Sequence, residues 1–228
     1  MTVSPSQKIV LGSGSPRRKQ LMEGMGWEVK VIKSDVDETY PDDLVREQIP
    51  IYLAAKKAAA FADTIRDDEW LITADTIVWL EGEVLGKPVD RHEAEQMLAK
   101  LQGKTHQVFT GVCISNRGKS RCFSVCTDVR FHPLDPKMIA DYVEHYRPFD
   151  KAGAYGAQEG LSPGFNPLSE EERQFLQEIH KTGLFESSLA VDPGMQVPII
   201  RSLNGSYFNV MGLPLVELWK EWQAFSRT

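Results

Sequence analysis

At 228 residues the chain is long enough to bury a substantial core, in one large domain or two lobes. Hydrophobic residues make up 42% and charged residues 25%, an ordinary globular balance. The net charge of −6 leaves no basic excess for a phosphate backbone or a membrane surface, which excludes broad nucleic-acid or membrane binding and requires any basic site to be local. Neither a signal pattern at the N-terminus nor an apolar run of about 18 residues is present, so the expected location is the cytoplasm. The three cysteines, Cys113, Cys122 and Cys126, form no C-x-x-C. Cys122 and Cys126 fall in an alternating apolar stretch and read as buried strand thiols rather than metal ligands.

In chain order, Lys8 to Leu11 reads as a short buried strand that runs into Gly12-Ser13-Gly14-Ser15-Pro16-Arg17-Arg18. Ser15 suits an N-cap and Pro16 the first helical position, with a helix continuing to Met25. A strand that turns through small residues into a helix start offers free backbone N–H groups and a positive dipole end, and two arginines add forked donors suited to phosphate oxygens. A capped turn with two surface arginines is the plainer alternative. Trp27 to Ile32 reads as a second strand, and Ser34 to Asp43 as an acidic loop. Its carboxylates are either solvated or, beside a phosphate site, available to a hard cation.

Arg46 to Ile65 has a helical pattern carrying Lys56 and Lys57, which read either as solvated surface lysines or, for one of them, as a cation pointing at an anionic site. Trp70 to Leu80 and Val84 to Leu85 read as two strands joined by Glu81-Gly82-Glu83. Asp75 interrupts the first of them, where a carboxylate is costly unless it is paired, hydrogen-bonded or bound to metal. Lys87 follows the second. Asp90 opens an amphipathic helix that Gly103 ends. His106 to Ser115 and Arg121 to Phe131 read as an antiparallel pair turning at Asn116 to Lys119, followed by a helix from Asp135 to His145. Asp150 to Gly160 mixes charged, small and aromatic residues with three glycines, as a ligand-covering loop or a plain connection would. A helix from Ser169 to His180, capped by Ser169, sits in a proline-framed excursion. Ile199 to Leu203 reads as a strand, and Leu215 to Phe225 as a final helix.

Together these stretches resemble the Maf family of nucleoside triphosphate pyrophosphatases. The pattern L-x-S-x-SPRR is met by Leu11 to Arg18, ADT-x-V by Ala74 to Val78, G-K-P by Gly86 to Pro88, DKAGAYG-x-Q by Asp150 to Gln158, and GSY-x-NV-x-GLP by Gly205 to Pro214. The resemblance implies a mixed α/β, Maf/ITPase-like fold of two lobes around a central cleft. It implies hydrolysis of a nucleoside triphosphate between the α- and β-phosphates with a divalent cation, Mg²⁺ or Mn²⁺. Matched by position, Asp75 is the catalytic carboxylate. Ser13, Arg18, Lys57 and Lys87 bind substrate, and Glu38 joins Asp75 as a metal ligand.

Arg17, Thr76 and Gln158 fall on the positions held to choose the base, and this set resembles the branch acting on dTTP and UTP, including modified pyrimidine triphosphates. The branch preferring 7-methyl-GTP typically carries tryptophan and glutamate at the first and last of these. A nucleotide-binding regulator of septum formation with little turnover is the alternative from another class, and a homodimer is left open. A P-loop NTPase is excluded, since no G-x-x-x-x-G-K-[ST] occurs.

The resemblance has one departure, between Gln158 and Gly205, where members of that family usually have a shorter link. The excess, residues 161–198 within a single 1–228 domain, would form a lid, alter base selection or make a subunit contact, with a tolerated surface insertion as the simpler reading.

Overall fold

A computed structural model describes residues 8–33, 35–116, 118–162, 164–188 and 197–226. Ser34, Arg117, Pro163 and most of the 189–198 end of the expected excursion therefore lie outside the described residues. The elements are β1 (Lys8–Gly12), α1 (Pro16–Gly24), β2 (Val29–Ile32), α2 (Gln48–Ala60), β3 (Glu69–Leu80), β4 (Glu83–Leu85) and α3 (Arg91–Leu101). They continue with β5 (Thr105–Asn116), β6 (Lys119–Phe131), α4 (Pro136–Tyr146), a 3₁₀ turn (Ala152–Ala154) and α5 (Ala157–Gly160). The chain ends with α6 (Glu170–Glu178), α7 (Leu184–Ser188), β7 (Ile200–Asn204), α8 (Tyr207–Val210) and α9 (Leu215–Phe225). None of these helices is long and apolar enough to cross a membrane.

Local chemistry explains the helix starts. Ser15 accepts from the Arg18 N–H with Pro16 in the first turn, Asp90 accepts from Glu93, and Asp135 accepts from Met138. Ser169 and Glu172 close a reciprocal capping box on α6. The helical pattern after Arg46 ends at Ala60 rather than Ile65. Beyond it the N–H groups of Phe61, Ala62 and Thr64 bond three residues back, to Ala58, Ala59 and Phe61, tightening the chain into turns.

The strands form one mixed seven-stranded sheet in the order β2-β1-β3-β5-β6-β7, with β4 on β3. β1 is parallel to β2 and β3, and the remaining pairings are antiparallel. β3 holds the key to the site. β5 pairs along one edge of it from Leu71 to Trp79, while on the other edge β1 pairs with Glu69–Ile72 and β4 with Val78–Leu80. Between these, residues 73–77 have no strand on that edge, and the sheet is split. Because side chains alternate along a strand, the split gives access to Asp75 from one face and Thr76 from the other.

The larger core lies under α1, α3, α4, α6 and α9 and includes Leu21, Met22, Leu98, Tyr142, Phe175 and Trp222. Two smaller clusters lie under α2, around Ala54, Leu71 and Cys113 and around Ile49, Leu53 and Phe109. Gly111 allows α2 to come this close, since a Cβ there would fall 2.3 Å from the backbone carbon and oxygen of Pro50. The cysteines correct the sequence reading. Antiparallel register sets Cys113 opposite Cys122, and the two are joined as a disulfide. Cys126 is exposed, beside Arg46 and Glu47 where the cover from α2 ends.

Candidate active site

A cleft of about 670 Å³ opens at the split in the sheet. Its walls are the Gly12–Arg18 turn, the Asp75–Val78 stretch of β3, Gly86 and Lys87 after β4, Asp150–Ala152, and Val210–Gly212 at the end of α8. On the α2 face, Lys57 is buried and its ammonium lies 2.5 Å from Asp75 Oδ1 and 2.9 Å from Glu38 Oε1. Glu38 Oε2 then accepts from Lys87 at 3.1 Å. One strand, one helix and the acidic loop thus meet at a single ammonium. Burial opposes ionisation of Glu38, but the hydrogen bond and charge of Lys57, with Lys87 behind them, hold its pKa at about 2. Lys56, its neighbour on α2, instead donates to the carbonyl and hydroxyl of Thr39 and steadies the same loop.

On the opposite face, Arg18 spreads its guanidinium over three acceptors. Nε donates to the Gly212 carbonyl at 2.8 Å, Nη1 to Ser13 Oγ at 3.1 Å, and Nη2 to Thr76 Oγ1 at 3.0 Å. Three of five N–H donors are used, so each terminal nitrogen retains one for a ligand. Gly212 sits at φ +100°, a left-handed conformation that turns the chain after α8 and suits only glycine comfortably. Burial pulls the Arg18 pKa down, and the negative charges of Asp75 and Glu38 push it back up. Arg17 lines the cleft near Asp150. Burial acts against the Asp150 carboxylate, yet the Lys151 hydrogen bond and the charges of Lys151 and Arg17 hold its pKa below the ordinary value.

This constellation has a family. The model of Maf-like proteins matches residues 8–174. The chain belongs to the Maf family. It is 49% identical over 216 residues to a Bacteroides fragilis protein named dTTP/UTP pyrophosphatase, covering 94% of each chain. Proteins of the same name from Phocaeicola vulgatus and Porphyromonas gingivalis are 45% and 41% identical, over 94% and 97% of this chain and 94% and 96% of theirs. Among solved structures, the Staphylococcus aureus Ham1 protein aligns at 18% identity and TM-score 0.42, over 55% of this chain and 72% of that one.

The Maf motifs and the cleft coincide closely. Ser13, Arg17, Arg18, Glu38, Lys57, Asp75, Thr76 and Lys87 all line it. Gln158 does not. It is half-buried on α5, outside the lining residues. One contributor escaped the sequence reading, and a second, Thr110, reads there only as a strand residue able to make polar contacts, with no partner named. The Gly212 carbonyl is a backbone acceptor with no side-chain signal. Thr110, on β5, shares a hydrogen bond of 2.9 Å with Thr76 and donates to the Asn209 carbonyl at 3.0 Å, which only the β3–β5 register makes visible.

Proposed function

We propose that the chain hydrolyses dTTP and UTP at the α–β phosphoanhydride, releasing the nucleoside monophosphate and pyrophosphate. The observation that carries this reading is the Asp75–Lys57–Glu38 bridge at the base of a cleft whose opposite wall is the arginine-bearing turn. The relatives named dTTP/UTP pyrophosphatase supply the substrate, and the Arg17 and Thr76 pair in the cleft wall is the part of the base-selecting set that can meet it.

The chemistry follows from the residues. A triphosphate brings several negative charges into a cleft lined by Arg17, Arg18, Lys87 and Lys151. The two spare donors of Arg18 match a pair of phosphate oxygens, and Ser13 fixes the plane of the guanidinium. Lys57 occupies Asp75 Oδ1, and Oδ2 has no hydrogen-bond partner among the described residues. That oxygen orients the attacking water and accepts its proton as the bond to the bridging oxygen breaks and pyrophosphate leaves. Lys57 fixes the carboxylate through Oδ1 and neutralises charge passing to the leaving group.

The donor set also suits a divalent cation. Asp75 and Glu38 are hard oxygen ligands on one ammonium, and no group of three or more His, Cys, Asp or Glu side chains gathers among the described residues. Mg²⁺ or Mn²⁺ would therefore be held by these two carboxylates and by phosphate oxygens, as small hard cations usually are in nucleotide sites. Such an ion would polarise the phosphoryl oxygens and acidify water. The reading is tested by assaying pyrophosphate and orthophosphate release from a panel of triphosphates, where it expects pyrophosphate from dTTP and UTP ahead of 7-methyl-GTP.

A further inference from the structure

The segment after Gln158 includes one carboxylate that is buried to 1% exposure and lies far along the chain from every motif residue it touches. Glu172, in the first turn of α6, accepts four hydrogen bonds. Its Oε1 takes the Ser206 hydroxyl at 2.6 Å and the Phe208 N–H at 3.1 Å. Its Oε2 takes the Tyr207 N–H at 3.2 Å and the Ser169 N–H at 2.9 Å. An ionised carboxylate is the one side chain that offers only acceptors, so it suits four converging donors. Three of these donors belong to the start of α8. The carboxylate is in effect an external cap on α8, supplied by a different helix.

α8 leads directly into the cleft wall. Its Asn209 carbonyl accepts from Thr110, which is bonded to Thr76, and the Gly212 carbonyl just beyond it accepts from Arg18 Nε. We infer that Glu172 is a positioning residue for triphosphate binding. By fixing α8 it sets the Gly212 carbonyl and the Thr110–Thr76 pair, and these hold the Arg18 guanidinium in the orientation that faces the substrate. The segment that carries α6 is thereby part of the site's framework rather than a surface decoration. The inference rests on the proposed reading of Arg18 as a phosphate ligand.

The test measures the dissociation constant of α,β-methylene-dUTP, which cannot be cleaved at that bridge, alongside steady-state pyrophosphate release from UTP. Glu172→Gln keeps the shape but sets an NH₂ group against N–H donors. It is expected to raise the dissociation constant and KM about tenfold while kcat falls less than about threefold. In an Arg18→Lys background the same substitution should add less than about twofold, since both changes act on one guanidinium. Glu171→Gln, exposed on the same helix, should leave binding unchanged. If Glu172→Gln does not fold, Ser206→Ala, which removes one donor to Glu172 and with it the side-chain cap on the Asn209 N–H of α8, should raise the dissociation constant about threefold. An unchanged dissociation constant in whichever of these variants folds, or an equal tenfold loss in the Arg18→Lys background, overturns the inference. Wild-type protein that binds the analogue but releases no pyrophosphate defeats the proposed reaction and leaves the binding arm to decide on Glu172. Protein that does neither defeats both.

Discussion

The Lys57 ammonium lies 2.5 Å from Asp75 Oδ1, the two side chains being nearly buried between α2 and β3. Removing one member of such a pair leaves the other charge uncompensated in a poorly solvated site. Lys57→Met should therefore cost about 3–5 kcal/mol of stability and reduce kcat/KM by about 100-fold or more. Lys57→Arg should not restore activity, because a planar fork cannot replace a compact ammonium shared by Asp75 and Glu38. Thermal melts and steady-state kinetics on the two variants check this.

α2 reaches Asp75 only because β5 presents no side chain at Gly111. In Gly111→Ala the new methyl group meets Pro50 backbone at 2.3 Å, and backbone cannot move aside as a flexible side chain would. Overpacking should cost about 1–3 kcal/mol. The displaced helix should carry Lys57 with it, so kcat should fall even in protein that remains folded at the assay temperature. Comparing the melting temperature with kcat for this variant separates the two effects.

On the other face, Arg18→Lys keeps a positive charge but loses the fork that Gly212, Ser13 and Thr76 hold in place. KM for the triphosphate should rise about tenfold, a larger change than Arg17→Lys produces, because Arg17 lacks that set of three acceptors. Base preference should shift more in Arg17→Lys. Ratios of kcat/KM for dTTP against a purine triphosphate measure the second half of the prediction.

His106 is buried on β5, with Nε2 2.8 Å from the Tyr155 hydroxyl and Nδ1 without a partner among the described residues. Burial lowers its pKa to about 3. Above the unfolded value of about 6.5 both states are neutral and the residue adds no pH dependence. Below it the unfolded chain binds a proton that the folded chain refuses, so stability falls as pH drops from about 6.5 towards 3, by up to about 1.4 kcal/mol per pH unit. His106→Leu should show a shallower loss over that window in denaturant melts.

Much of this architecture is legible in the residues. Ser15-Pro16, Asp90, Asp135 and the Ser169/Glu172 box announce helix starts through local hydrogen bonding, which needs no tertiary information. Asp75 is conspicuous because a carboxylate in an apolar strand must have a partner. That its partner is Lys57 rather than Lys56 depends on how α2 is rotated on the sheet, and the decisive contact there is between Gly111 and Pro50, far apart in sequence. The left-handed turn at Gly212 and the register that brings Thr110 to Thr76 are likewise long-range. Glu172 is visible as half of a capping box, but its second set of donors comes from α8. Gln158 carries the family motif, yet it lies on α5 outside the cleft lining, a placement that the motif itself does not reveal.

The central claim is that Asp75 drives hydrolysis at the α–β bridge. The most direct measurement is pyrophosphate release from UTP and dTTP by wild-type protein and Asp75→Asn, with Mg²⁺ or Mn²⁺ present and analogue binding measured on both. Asparagine keeps the shape but cannot accept the proton, so the variant should bind the analogue and lose at least about 100-fold in kcat. Undiminished pyrophosphate release by a folded Asp75→Asn protein, or orthophosphate as the first product of the wild type, would contradict the account.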